Sequence, residues 1–245
     1  MRKRDLVIVI LIVTLGGLLG ACGSEAPAPS AAPVAAVPVR PASERVPVPK
    51  PAEVYRDADP NVRADPKADA NDPNLARYLD ERLAQDPSDV PARVERGYQR
   101  AQRGDATGAE ADYARASKAA ADTVQRQRYV LWSHGWALLA QNQPEAALKD
   151  WRDSQHLHGG NPYWVPYSFA VALRAAGRDD EAVAYYAAAA RSDPERWGTR
   201  SAMLETTKSW KPQERTRIEA VYALWQGRST ELGSAAPLEG APVAR

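Results

Sequence analysis

Small and large apolar residues recur at helical spacing between residues 74 and 226. Within 93–120, one helix-like stretch ends at the turn Arg103-Gly104-Asp105, and a second begins at Thr107, which predicts a helical hairpin. Small residues let two helices approach closely, and one large residue fills the remaining space. In this hairpin the small and large positions are Gly97, Ala109, Tyr113 and Ala116.

The same arrangement returns twice, with intervals of 38 residues from Ala109 to Ala147 and 35 residues from Ala147 to Ala182. Upstream, Leu75 and Leu79 predict one further helix. Downstream, 201–207 and 212–226 predict two helices that cap the open end of the array. The matching residues are Gly135, Leu138, Ala147, Trp151 and Ser154 in the second copy, and Ala170, Leu173, Gly177, Ala182, Tyr186 and Ala189 in the third.

This repeat resembles that of the tetratricopeptide family, and the resemblance covers roughly residues 74–226. It implies an all-α fold, namely a short α-solenoid of about three tetratricopeptide-type hairpins with capping helices. Arg93 and Pro166 depart from the pattern, because the family usually has a bulky apolar residue at these places. The resemblance also implies a scaffold rather than an enzyme, since such repeats rarely carry chemistry.

The N-terminus has the pattern of a targeting signal. Three basic residues precede an apolar run from Leu6 to Leu19, which is shorter than the about 20 residues needed to cross a bilayer. The sequence Leu19-Gly20-Ala21-Cys22 resembles the lipobox of bacterial lipoproteins. The resemblance implies a signal peptide over 1–21 and acylation of Cys22, with palmitate among the acyl chains. A secretory signal with a fortuitous Cys, or an uncleaved anchor, remain the alternatives.

Location follows from the same resemblance. Gly23, rather than Asp, follows the Cys, which resembles a signal for export to the outer membrane rather than retention in the inner membrane. We therefore expect a lipid-anchored protein facing the periplasm. Proline recurs every few residues from 27 to 51, and Asp-Pro steps follow, so residues 22–73 are predicted to be a disordered linker. The linker serves either as a passive spacer or as a Pro-rich ligand. The Gly/Ala/Pro-rich tail, 227–245, is also predicted to be disordered.

Charge and composition exclude several function classes. The formal charge is +1, and without residues 1–21 it becomes 29 − 30 = −1, so nothing attracts nucleic acid. The only Cys is Cys22, so no intramolecular disulfide can form. His156-x-His158 lacks a carboxylate cluster at ligand spacing, so we expect no metal and no cofactor. Motifs of catalysis or phosphate binding are missing, and we expect no enzyme.

The candidate binding surface is an aromatic groove. In solenoids of this family the first helix of each hairpin lines the concave face. Trp132 and Trp136 lie four residues apart and share one helical face, and aromatic residues recur as binding hot spots. In the alternative interpretation, the rings are core residues that pack against Trp197, Trp210 or Trp225, or against the Pro-rich linker. The groove residues are predicted to be Tyr98, Tyr129, Trp132, Trp136, Trp164, Tyr167 and Arg174.

These features predict an envelope lipoprotein that acts as a scaffold or adaptor in the periplasm and binds a peptide or protein through the groove. The basic clamp for acidic C-terminal tails is missing, because Glu95, Ser133 and Ser168 occupy its places. The alternative is a structural or self-associating spacer, in which the aromatic residues form the core or a homo-oligomer contact. The sequence does not identify the partner.

Overall fold

The structure is a computed structural model that describes residues 45–62 and 74–234 of the chain. These residues form ten helices and no strand, with one isolated bridge between Asp57 and Pro162. None of the described helices combines the length and apolar character needed to span a bilayer. Because the described residues form helices and no strand, the predicted all-α class is confirmed. The helices are α1 (Leu75–Gln85), α2 (Val90–Gln102), α3 (Ala106–Ala119), α4 (Val124–Ala140), α5 (Pro144–His158), α6 (Val165–Ala175), α7 (Asp179–Ser192), α8 (Pro194–Trp197), α9 (Arg200–Thr206) and α10 (Pro212–Ser234).

Helices that follow one another along the chain pack in pairs. α2 packs on α3, α4 on α5 and α6 on α7, and these pairs are the three predicted hairpins. α1 packs against α2 at one end, and α10 packs against both α6 and α7 at the other. The result is a short solenoid with capping helices. α10 ends at Ser234 rather than at Gln226, so the first part of the tail that was predicted to be disordered is helical.

Local signals in the sequence place the helix boundaries. The side chain of Asp89 accepts a hydrogen bond from the Ala92 N–H at 3.0 Å, and that of Asp105 accepts one from the Gly108 N–H at 2.8 Å. Each carboxylate satisfies an amide that has no partner within the helix. The turn between α2 and α3 contains Gly104 at φ +81°, a conformation that residues with a Cβ rarely adopt.

The hairpins are held by contacts between a small and a large residue. A Cβ on Gly97 would lie 2.9 Å from the Tyr113 ring, and one on Gly135 would lie 2.2 Å from Trp151 Nε1. The indole of Trp151 is fully buried and donates to the Trp132 carbonyl at 2.8 Å. Glycine is therefore required at both positions for the helices to approach, as the small and large positions in the sequence predicted.

A buried carboxylate joins the two helices of the first hairpin. Asp112 on α3 is fully buried and forms two hydrogen bonds with Arg96 on α2, at 2.7 and 2.9 Å. Arg100 donates a third, at 2.8 Å. Hydrogen bonds that involve charged groups on both sides are among the stronger ones in proteins, and here they compensate for the desolvation of Asp112.

His134 joins three helices of two hairpins. Its Nδ1 lies 2.7 Å from Asp150 Oδ2 on α5, and its Nε2 lies 3.0 Å from Glu110 Oε1 on α3. Burial alone lowers the pKa of His134, but the hydrogen bonds and charges of the two carboxylates outweigh burial and raise that pKa above its ordinary value. The two carboxylates thus stabilise the cationic form, which can donate from both ring nitrogens, relative to the neutral form.

Residues 45–62 form an extended segment, here called the strap, that packs along the second helices of two hairpins. The Val46 N–H donates to Glu145 Oε2 at 2.8 Å, and the Val46 carbonyl accepts from Arg178 Nη1 at 2.9 Å. Glu145 and Arg178 are themselves a buried ion pair, with 3.1 Å between Oε2 and Nη1. The backbone of the strap thus completes the hydrogen bonding of a buried charge pair between α5 and α7.

The middle of the strap follows α7. The Pro49 carbonyl accepts from the Tyr185 hydroxyl at 2.8 Å, and the Tyr55 N–H donates to Ser192 Oγ at 2.8 Å. Tyr55 is only 3% exposed and belongs to the main hydrophobic core. Its burial contributes on the order of 1.5–3 kcal/mol, as for other large apolar side chains, and so favours docking of the strap over a free chain.

The end of the strap passes the turn between α5 and α6. Asp59 is 2% exposed, forms an ion pair with Arg128 on α4, and accepts a hydrogen bond from Trp164 Nε1 at 3.1 Å. Val62 is equally buried. Residues 45–62 are therefore ordered against the solenoid and differ from the predicted disordered linker. The rest of that prediction, like the signal peptide over 1–21 and the acylated Cys22, lies outside the described residues.

Candidate functional site

A cavity of about 230 Å³ opens between the first helices of the first two hairpins, α2 and α4, together with α6 and the turn before α10. We call it the aromatic cavity, because six of its lining residues are Tyr or Trp. The first helices contribute one wall, as the hairpin pattern predicted, and the capping region contributes the other. Its lining residues are Glu95, Tyr98, Gln99, Tyr129, Trp132, Ser133, Trp136, Tyr167, Ser209, Trp210, Lys211 and Glu214.

Most of the predicted groove residues meet in this cavity. The five that line it are Tyr98, Tyr129, Trp132, Trp136 and Tyr167. They come from three different helices, and their meeting follows from the pairing of α2 with α4 and the position of α6. Whether these residues bind a partner stays a prediction.

Two predicted groove residues lie elsewhere. Trp164 is the N-cap residue of α6 and already has a helical backbone conformation, with φ −81° and ψ −21°. It is fully buried, and its indole N–H donates to Asp59 of the strap. Arg174 lies in the last turn of α6, where its Nη1 donates to Asp179 Oδ1 at 2.8 Å, at the start of α7. The structure therefore does not bring Trp164 or Arg174 into the aromatic cavity.

The rings around the cavity form a continuous chain of contacts. Ring centroids are 6.4 Å apart for Tyr129 and Trp132, 6.5 Å for Trp132 and Trp136, and 5.3 Å for Trp136 and Trp210. Tyr167 completes the chain at 5.7 Å from Trp210. The contacts to Trp210 are the ones that the core interpretation expected. The same rings therefore pack against the capping region and border an open space.

Exposure separates the floor of the cavity from its rim. Tyr129 and Trp136 are each 8% exposed and belong to the hydrophobic core. Tyr98, Trp132 and Tyr167 are half-buried, so a bound group can reach them without unfolding of the core. Aromatic side chains that are partly packed and partly open supply large apolar area with little conformational freedom to lose.

A buried carboxylate stands at the edge of the aromatic wall. Glu214 Oε1 accepts from the Tyr98 hydroxyl at 2.5 Å, and Oε2 accepts from the Lys211 N–H at 3.2 Å. Burial raises the pKa of Glu214, although these hydrogen bonds and the charges of Lys211 and Arg217 oppose the shift. Burial also raises the pKa of Tyr98, with a further contribution from the Glu214 charge, so the phenol stays a neutral donor.

The capping side of the cavity was not predicted. Ser209, Trp210, Lys211 and Glu214 lie at and after the turn between α9 and α10. Trp210 was considered only as a core partner of the groove rings. Nothing in the sequence marked Glu214 as a cavity residue, because Glu is common in the first turn of a helix, where the helix dipole favours it.

The described histidine contacts are with neighbouring groups of the protein. Within 45–62 and 74–234 no group of three or more His, Cys, Asp or Glu side chains is placed to hold a metal ion. His158 Nε2 lies 3.3 Å from the Ala58 carbonyl of the strap, and His134 lies between its two carboxylates. The described contacts of these two side chains are therefore structural.

No protein-family model matches the chain, and comparison with curated proteins and with solved structures gives no significant match. The tetratricopeptide resemblance thus stays a prediction from the residues. The function is inferred from the chain's own sequence and geometry.

Proposed function

We propose that this chain is an envelope lipoprotein whose helical repeats bind a peptide or protein partner through the aromatic cavity. The observation that carries the proposal is the open space of about 230 Å³ bordered by half-buried Tyr98, Trp132 and Tyr167. A completed core would have filled such a space, because protein interiors are close-packed and large voids are few. An anchor side chain from a partner would fill it instead.

A steric block at the rim tests the cavity without removing core rings. Ser209 is exposed and lines the cavity, so Ser209→Trp places an indole in its mouth while every existing side chain is kept. Ser201, on α9, is exposed and lies outside the lining, which makes Ser201→Trp a matched control. The full chain in mild detergent and both variants are used to capture proteins of the envelope, and bound proteins are compared by quantitative mass spectrometry.

We expect one protein to be retained by the parent chain and by Ser201→Trp, and to be reduced about tenfold or more by Ser209→Trp. Circular dichroism confirms that each variant is folded. Equal retention by all three chains would refute the cavity as the binding site. Trp132→Ala supplies a second variant, because Trp132 is half-buried and its truncation enlarges the cavity rather than blocking it.

A second function, self-association, is favoured by the buried floor of the cavity. Trp136 contacts both Trp151, at 4.9 Å between centroids, and Trp210, so part of the aromatic set already serves packing. In that case the rim rings are buried by a second copy of the chain. Sedimentation equilibrium distinguishes self-association from binding of a different protein. If the chain self-associates, its measured mass rises with protein concentration, and Ser209→Trp restores the mass of the monomer.

The lipid anchor and the location are proposed from the lipobox resemblance at Cys22. Incorporation of an alkyne-labelled palmitate in cells tests the anchor, and Cys22→Ser is expected to abolish the label and release the chain from the membrane fraction. Separation of inner and outer membranes on a density gradient then tests the proposed outer-membrane location. A label that persists in Cys22→Ser would refute acylation at this residue.

A further inference from the structure

We propose that the aromatic cavity accepts a basic side chain, lysine or arginine, presented by a segment of the protein partner. The inference rests on the proposed function, since it specifies what the partner inserts into the same cavity. Three observations support it: the size of the cavity, the composition of its walls, and the balance of charge around it.

The size matches a single side chain. An apolar protein cavity of about 150 Å³ holds one benzene molecule, and small-molecule sites span roughly 300–1,000 Å³. At about 230 Å³ the aromatic cavity lies between the two. A lysine or arginine side chain can place its apolar stem against the lining rings while its charged end meets the polar groups of the cavity.

The walls suit a cation. Three of the lining rings are the indoles of Trp132, Trp136 and Trp210, and the other three are the phenols of Tyr98, Tyr129 and Tyr167. The faces of aromatic rings carry negative potential, which attracts ammonium and guanidinium groups, and Trp is the strongest of the aromatic residues in this respect. Trp136 and Trp210 lie edge to face, with 66° between their ring planes.

The balance of charge selects the cation over an apolar group. The carboxyl groups of Glu95 and Glu214 line the cavity, together with the ammonium group of Lys211. Glu214 is 6% exposed, and its described hydrogen bonds come from neutral donors, a phenol and a backbone amide, while the charges of Lys211 and Arg217 act on it without a described hydrogen bond from either side chain. An apolar occupant would displace water and leave this carboxylate in still drier surroundings, at further cost. A basic side chain supplies a countercharge, and an acidic one would be repelled.

An array of random nine-residue peptides, probed with the full chain in mild detergent, measures the preference directly. We expect the retained peptides to be enriched in Lys or Arg. Replacement of the basic residue of a retained peptide by Met, which is apolar and unbranched, is expected to weaken binding about tenfold. Retention of apolar or acidic peptides, or equal binding of the Met peptide, would overturn the proposal.

Charge-neutral variants locate the effect. Glu214→Gln keeps an oxygen that can accept from Tyr98 and removes the charge, so the advantage of the basic peptide over the Met peptide is expected to shrink to less than about threefold. Glu219→Gln is the matched control, because Glu219 lies on the same helix, outside the cavity, and pairs with Arg200 at 3.0 Å. Glu95→Gln is the second test if Glu214→Gln unfolds. An unchanged advantage in the folded cavity variants would refute the role of the carboxylates.

The proposed function and this inference fail in different ways. If the retained peptides lose binding to Ser209→Trp but show no preference for basic residues, the cavity remains the binding site and only the proposed basic occupant is refuted. Basic peptides that bind Ser209→Trp as well as the parent chain bind elsewhere, and refute both. An array that retains no peptide at micromolar concentration also counts against both, because an anchor in a preformed cavity requires measurable affinity.

Discussion

Docking of the strap depends on one buried carboxylate, and Asp59→Ala tests it. Asp59 pairs with Arg128 and accepts from Trp164 Nε1 at 3.1 Å. Replacement by Ala leaves the Arg128 guanidinium and the Trp164 indole N–H without this partner. The site is buried, because Asp59 and Arg128 are each less than a tenth exposed. Breaking a buried ion pair from one side costs about 3–5 kcal/mol, which is a large part of the stability of about 5–15 kcal/mol that is usual for a domain.

The free energy of unfolding of the full chain is measured in urea, and its melting temperature is measured by heating, both followed by circular dichroism and tryptophan fluorescence. For a domain of this size we expect the melting temperature to fall by about 6–20 °C. The double variant Asp59→Ala/Arg128→Met removes both charges and leaves only the indole donor, so it is expected to recover part of the loss. Asp86→Ala serves as a control, since that carboxylate lies at an exposed helix end.

Two results would each contradict part of this reasoning. If Asp59→Ala stays within about 0.5 kcal/mol of the parent chain, as an exposed substitution does, the strap is not docked through this carboxylate in solution. If the double variant is no more stable than the single one, the cost comes from lost packing at Val62 and Tyr55 rather than from the unpaired charge of Arg128.

Three further predictions concern the solenoid. Gly135→Ala forces a Cβ to within 2.2 Å of Trp151 and is expected to lower the free energy of unfolding in urea by about 1–3 kcal/mol. A Cβ on Gly227 of α10 meets nothing within 4 Å, so Gly227→Ala is expected to raise that free energy by up to about 1 kcal/mol. Asp112→Ala is expected to cost about 3–5 kcal/mol, and an unchanged unfolding curve would contradict its role. The folded pKa of His134 is raised, so its stabilisation is complete below the unfolded value of about 6.5 and is lost as pH rises through the folded value. Unfolding free energies at pH 6 and pH 8.5 should differ less in His134→Gln than in the parent chain.

The hairpins were predictable because they rest on periodic, local contacts. Gly97 with Tyr113 and Gly135 with Trp151 are pairs within one hairpin, and their spacing repeats along the chain. The pattern also brought five groove residues to one cavity, since residues on the first helices share a face. Trp164 lies outside the cavity, fully buried, and donates to Asp59 of the strap, a contact that the spacing of helical residues does not encode.

The strap and the capping side of the cavity could not be predicted in the same way. The strap docks partly through the backbone of Val46 and the carbonyl of Pro49, which any sequence would offer, and its composition is that of a disordered segment. Asp59 meets Trp164 across a separation of 105 residues, and no periodicity encodes such a contact. Glu214 likewise reaches Tyr98 only because α10 folds back onto the solenoid.

The docked strap also limits the length of free chain that could separate the solenoid of the proposed lipoprotein from its membrane. Cys22 and Val46 are 24 positions apart, so the chain between them spans at most about 80–85 Å, whereas a linker that stayed free as far as residue 73 would span roughly twice that distance. Among the described residues, Val46 is the first that the solenoid holds, through Glu145 and Arg178. If Cys22 is acylated as proposed, undocking of the strap would lengthen the free chain, so the contacts of the strap would limit the distance between the aromatic cavity and the bilayer.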